Sequence, residues 1–216
     1  MSFKNPNFRW LFFYILTFIL WAIYRFFEQF PTWIDEMVFK PILKFAPIIY
    51  AVFILEAKNW SSLGFLKKNL LTNMFLGIGV GIGLILMRVI VKDFVEGGLQ
   101  LNPLHLSLAG FILATATAGV VGFLEEVTFR GYFFQRIYWT TRSELTANIL
   151  SSMLSAITHL PLSVFFLQFT SSSLLFYFAQ AIFMSMLFAF IFARRKSIFV
   201  SMTAHAIWNF SNYLVV

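Results

Sequence analysis

Gly122 to Arg136 reads GFLEEVTFRGYFFQR, and its adjacent carboxylates Glu125 and Glu126, with Arg130 following, stand in a chain that is otherwise almost all hydrocarbon. An ionised carboxylate in lipid costs about 2.5 kcal/mol or more even on lenient insertion scales, so a pair of them is retained there for a reason. On a helix the two acids point about 100° apart and cannot do the same job. Glu126 and Arg130 are at i and i+4 with the acid first, the favoured order for an ion pair that keeps both charges tolerable in lipid. Glu125 is left as the freer carboxylate, a candidate base near neutral pH.

The composition sets this stretch in a membrane. Of 216 residues 60% are hydrophobic and 12% charged, with a mean hydropathy of +0.81, whereas a soluble domain has roughly twice that charged fraction. Each helical crossing needs about 20 apolar residues, so roughly six to eight crossings use up the chain and leave no room for a soluble domain. The net charge of +7 comes from Lys and Arg lying between apolar runs. They read as topology signals, not as a nucleic-acid surface. Cysteine is absent, which excludes disulfides and thiolate metal sites. The first apolar run lacks a small-residue cleavage site and is expected to stay as an anchor.

The fold class is therefore all-α, a polytopic transmembrane helical bundle of about seven spans. Three are expected in residues 1–105 and four in a catalytic half, 106–216. The first runs from about Trp10 to Phe27. A connection from Glu28 to Lys44 follows, where Pro31, Pro41 and Pro47 argue against one continuous helix, and the second span, about Phe45 to Ala57, is short unless it begins near Val38 with a proline kink. The third, Leu70 to Val91, carries Gly77, Gly79, Gly81 and Gly83. Inside an apolar run these are not a phosphate loop but two small-xxx-small packing faces. A polar loop, Lys92 to His105, ends it.

From Leu106 to about Trp139 the pattern is too long for one straight crossing and predicts a break near Gly119 to Gly122. Spans at about Leu145–Phe169, Ser173–Ala193 and Ser197 to the C-terminus complete the count. Counting Lys and Arg puts Lys4, Arg9, Lys58, Lys67, Lys68, Arg136, Arg142, Arg194, Arg195 and Lys196 on one side and Arg25, Lys40, Lys44, Arg88 and Lys92 on the other. This predicts a cytoplasmic N-terminus and an external C-terminus, in the plasma membrane.

Two of the three histidines lie deep in spans: His159 in the fifth, and His205 in the seventh, one turn before Asn209 on the same face. At 1.5 Å per residue Glu125, His159 and His205 all sit roughly 10 to 20 Å into the bilayer, so groups on three helices can meet. Each also has a plain structural use as interhelical hydrogen-bonding glue, and Ser185 and Ala189, four apart, read as a close-packing face. His105 reads as loop or interface.

At these residues a resemblance becomes specific. GFLEEVTFR has the EExxxR signature of the CAAX proteases and bacteriocin-processing enzymes, the CPBP or Abi family of intramembrane proteases that includes the type II CAAX prenyl endopeptidases. His159 in SSMLSAITHLP stands at that family's second motif, and HAIWN, His205 to Asn209, is similar to its HxxxN third motif. The likeness covers about Leu106 to the C-terminus. It implies that Glu125 and His159 activate a water, that His205 and Asn209 stabilise the oxyanion, and that Glu126 and Arg130 support the site. Two positions depart from the pattern: Ser155 replaces the aromatic of FxxxH, and Ser185 and Ala189 stand where glycines are usual.

The resemblance thus implies an intramembrane endopeptidase acting on a peptide or protein substrate, lipidated or not, in contact with the lipid bilayer and without nucleic acid. The intramembrane carboxylates and histidines also suit an ion- or proton-coupled transporter, and the same fold without turnover suits a binding or immunity protein. Glu125, His159 and His205 would make a His2Glu zinc set, the metalloendopeptidase alternative. A carboxylate base with an oxyanion hole requires no cofactor and is the favoured form, because no outer-shell carboxylate is evident for either histidine.

Overall fold

A computed structural model describes residues 9–27, 30–96 and 107–213. Lys4, Glu28, His105 and most of the polar loop that ends at His105 lie outside those residues. Among the described residues seven helices form the bundle: α1 Arg9–Phe27, α2 residues 32–55, α3 Leu70–Glu96, α4 Leu108–Thr141, α5 Glu144–Phe166, α6 Ser171–Arg195 and α7 Ile198–Phe210. Six, α1 to α6, are long and apolar enough to cross a membrane. The seventh, α7, has 13 residues, about 20 Å of helix against a hydrocarbon core of about 30 Å. Large apolar side chains such as Leu71, Phe75, Leu86 and Ile90 of α3 are exposed on the outside, as a lipid-facing surface requires.

Three helices depart from the sequence expectation, each for a backbone reason. The prolines of the second span do not interrupt it: α2 runs on through Pro41 and Pro47. A proline removes a donor and crowds the carbonyl four residues back. Around Pro41 the backbone takes the wider i→i+5 register, in which Lys40 N–H donates to Asp35 O and Ala46 N–H to Pro41 O, and the missing donor is accommodated. In α4 the change of register comes not near Gly119 but later, at Val127–Phe134, directly after the two acids. In α5 the α-helix ends at Ile157, and His159 N–H turns back to Ala156 O at 3.0 Å. Pro161, which cannot donate to Ile157, accounts for that turn and places His159 on it.

The short helix α7 sits at the centre, packed against α3, α4 and α6. Glycines make this possible. A Cβ on Gly77 would meet Val200 O at 2.6 Å, and one on Gly81 would meet Ile207 at 2.7 Å, whereas Gly79 and Gly83 face open space. Of the two small-residue faces, Gly77 with Gly81 is a contact and Gly79 with Gly83 meets nothing among the described residues. On α4 a Cβ at Gly122 would lie 2.9 Å from Ala206 N. Gly122→Ala is therefore expected to push α4 from α7 and cost about 1 to 3 kcal/mol, read as a lowered unfolding temperature in detergent, with Gly79→Ala as the unaffected control. A main core of Phe13, Ile48, Val52, Phe129, Phe133, Ile137, Phe192 and Ile198 joins α1, α2, α4, α6 and α7. Arg136 ties α4 to the end of α2 through Glu56, Nη2 to Oε2 2.6 Å.

Candidate active site

The change of register after Glu126 leaves the acids of α4 facing inward, both buried. Arg130 Nη1 lies 3.0 Å from Glu126 Oε1, as the i and i+4 spacing predicts. The same oxygen lies 2.8 Å from His205 Nδ1 on α7. A carboxylate there only accepts, so His205 Nδ1 carries a proton, and its Nε2 points to the other acid, 3.6 Å from Glu125 Oε2. The His205 ring stacks on Phe188, centroids 4.8 Å apart, and the Arg130 guanidinium lies over the same phenyl ring at 5.6 Å. Arg130 Nη2 donates to Ser185 Oγ at 2.8 Å and to Ser185 O at 2.7 Å. The serine that departs from the glycine pattern is thus an acceptor for the buried arginine as well as a small residue at a packed helix.

His159 and Asn209 complete the set. Glu125, His159, His205 and Asn209, from α4, α5 and α7, line one cavity of about 590 Å³. His159 Nδ1 is 3.5 Å from Tyr177 Oη, with the rings edge to face. The Asn209 Nδ2 amide is buried and has no hydrogen-bond partner among the described residues. Ser155, in place of the aromatic of the second motif, lines the same cavity.

Glu125, however, is not a free carboxylate. Lys40 of α2 reaches across 85 positions of sequence, Nζ to Oε1 2.9 Å. Lys40 is also paired with Glu36, one turn before it. Lys44, one turn further on, is buried with its Nζ 5.0 Å from the Trp21 ring. Arg25, on the neighbouring helix, is buried and paired with Asp35. Arg25, Lys40 and Lys44, counted above as topology charges, are interior groups, and so is Arg136. Arg88, in the same count, lines the cavity and is held by Ser211 Oγ at 2.9 Å and Asn212 Oδ1 at 2.6 Å.

Residues 106–211 match the family described as type II CAAX prenyl endopeptidase, Rce1-like. That segment of the chain belongs to the CAAX protease family. No curated protein and no solved structure matches it. The CAAX-protease segment comprises α4 to α7 and holds every residue that the motifs single out. Lys40, Glu36, Lys44 and Arg88 come from helices before it. Their only sequence signal is charge inside an apolar run, and in α2 the i, i+4, i+8 spacing of Glu36, Lys40 and Lys44.

A zinc ion does not fit the residues as arranged. Glu126 supplies the outer-shell carboxylate for His205 that the sequence reading lacks, but the remaining requirements are unmet. Among the described residues no group of three histidine or acidic side chains is placed so that it could hold a metal ion. An ammonium already sits 2.9 Å from the carboxylate that would be a ligand, where it would repel a dication.

Proposed function

We propose that the chain hydrolyses a peptide bond of a membrane-associated or lipidated substrate in the cavity between α4, α5 and α7. The observation that carries this reading is the meeting of Glu125, His159, His205 and Asn209 around one cavity. Glu125 lines that space, with Oε1 occupied by Lys40 and Oε2 3.6 Å from His205 Nε2. A water bonded to Oε2 loses its proton there as it attacks the carbonyl carbon, and His159, on the turn of α5, is the second group that orients it. The tetrahedral oxyanion takes the Asn209 amide, a buried donor with nothing else to bond. His205 joins it through Nε2, which donates when the ring is an imidazolium held by Glu126. Collapse of the intermediate breaks the C–N bond, and the proton held by Glu125 passes to the leaving amine. Each of these steps proceeds on the chain's own groups.

The test has two arms. Peptides released in cells are compared between wild type and Glu125→Gln by mass spectrometry, and the purified protein is given a quenched fluorescent peptide ending in a prenylated CAAX sequence. Cleavage that appears with the wild type and disappears with Glu125→Gln supports the reading. Equal cleavage in both removes it.

With the N-terminus cytoplasmic and the C-terminus external, the cavity-lining residues Glu36, Arg88, Tyr177 and Asn212 lie toward the external ends of their helices. With Arg25, Lys40, Lys44 and Arg136 set aside as interior groups, the charges that remain exposed still cluster in the segments assigned to the cytoplasm: Lys58, Lys67, Lys68, Arg142, Arg194, Arg195 and Lys196. A reporter fused after Lys196, with the rest deleted, is expected to read cytoplasmic, and one fused to Val216 external. Both tags on one side would overturn this topology.

A further inference from the structure

The row Glu36, Lys40 and Lys44 on α2 carries one acid and two bases, all buried. Left alone, it would bury an uncompensated cation inside a span, which is expensive. Glu125 of α4 supplies the missing negative charge, so the four groups together are neutral. The contact is direct: Lys40 Nζ is bonded to Glu125 Oε1 at 2.9 Å and paired with Glu36 on its other side.

This arrangement divides the two oxygens of the carboxylate. The terminal torsion of a glutamate is soft, and a carboxylate with both oxygens free samples a broad range of planes. Here an ammonium, itself tethered by Glu36, holds Oε1, and Oε2 is the oxygen directed at His205 Nε2, 3.6 Å away. We infer that Lys40 is a positioning residue for the catalytic carboxylate, so that the catalytic centre includes a helix outside the matched residues 106–211. The inference rests on the reading of Glu125 as the base.

The test uses the full-length protein in detergent and the quenched prenylated peptide. Misplacement of a reacting group by about 1 Å can cost about 10²-fold. Lys40→Met is accordingly expected to lower kcat by about 10²-fold and to leave KM within about threefold, because the ammonium is taken up by Glu125 and Glu36. Lys40→Arg, which keeps a cation, is expected to recover at least about a tenth of the lost turnover. A purely structural lysine would instead lower the folded fraction and leave kcat per folded molecule unchanged, and that result overturns the proposal. If Lys40→Met does not fold, Glu36→Gln with Lys40→Met removes one charge of each sign and leaves Glu125 with Lys44; normal kcat in that double variant overturns it equally.

A second measurement does not depend on turnover. Unfolding temperatures of Lys40→Met, Glu125→Gln and the pair together are expected to be non-additive, because both changes break one contact. Additive values overturn the pairing itself. Non-additive values in a protein whose cleavage ignores Glu125→Gln would instead overturn the proteolytic reading and the positioning role with it, leaving the ion pair standing.

Discussion

Glu125→Gln is expected to lose cleavage by about 10² to 10⁴-fold or more, the range for a positioned base, while the protein still inserts and folds. The amide has the shape of the carboxylate but cannot take a proton from water. Lys40, the group that loses an anion, keeps Glu36, but the charge of Lys44 is then uncompensated, so part of the folded yield is lost and the rate is taken per folded molecule. The neighbouring acid behaves differently. Glu126 Oε1 faces both Arg130 Nη1 and His205 Nδ1, and Arg130 is 1% exposed. Breaking a buried pair from one side costs about 3 to 5 kcal/mol, so Glu126→Gln serves as the contrast: its loss is in folded yield in the membrane fraction. Rates per folded molecule, measured for both variants against the same peptide, separate the two carboxylates. Near-normal turnover in Glu125→Gln would remove the base from the mechanism.

How much of this was legible in the sequence follows from the range of each interaction. The Glu126 and Arg130 pair is local, four residues on one helix, and helix geometry alone predicts it. The packing of Gly77 and Gly81 was legible as a spacing, but not which of the two faces is used, because that depends on where α7 lies. His205 and Glu126 are 79 residues apart and Lys40 and Glu125 are 85 apart, and no periodicity reports such a pair. Lys40 was misread for a specific reason. A lysine in an apolar run looks the same whether its ammonium reaches the headgroups or turns inward to a carboxylate, and only the placement of α2 against α4 decides. The prolines of α2 were misread because a rule about missing donors assumes the i→i+4 register, and the backbone around Pro41 does not keep it. The motif residues, by contrast, were legible one by one because each is a polar group that lipid would exclude without a partner or a task.

Asn209→Ala tests the other half of the chemistry. Removal of one oxyanion donor costs about 10² to 10³ in turnover where the donor is aimed at the developing charge, and that fall in kcat is expected here. The amide is well suited to the measurement because Nδ2 has no hydrogen-bond partner among the described residues. Its deletion breaks no such bond in the resting protein, so little of the effect is expected in the unfolding temperature. The variant also separates the two accounts of how the carbonyl oxygen is stabilised. If protein donors hold it, a chelator leaves wild-type turnover unchanged and the loss in Asn209→Ala is not recovered by added zinc. If an ion on Glu125 and the histidines held it, the ammonium of Lys40 would have to leave Glu125 Oε1 first, and Lys40→Met would then bind zinc more tightly than the wild type. Zinc in stoichiometric amount in the active wild-type protein, with activity lost to a chelator and restored by the metal, would decide for the ion. An Asn209→Ala variant that keeps wild-type kcat would leave the oxyanion without its assigned donor and would return that role to His205 alone.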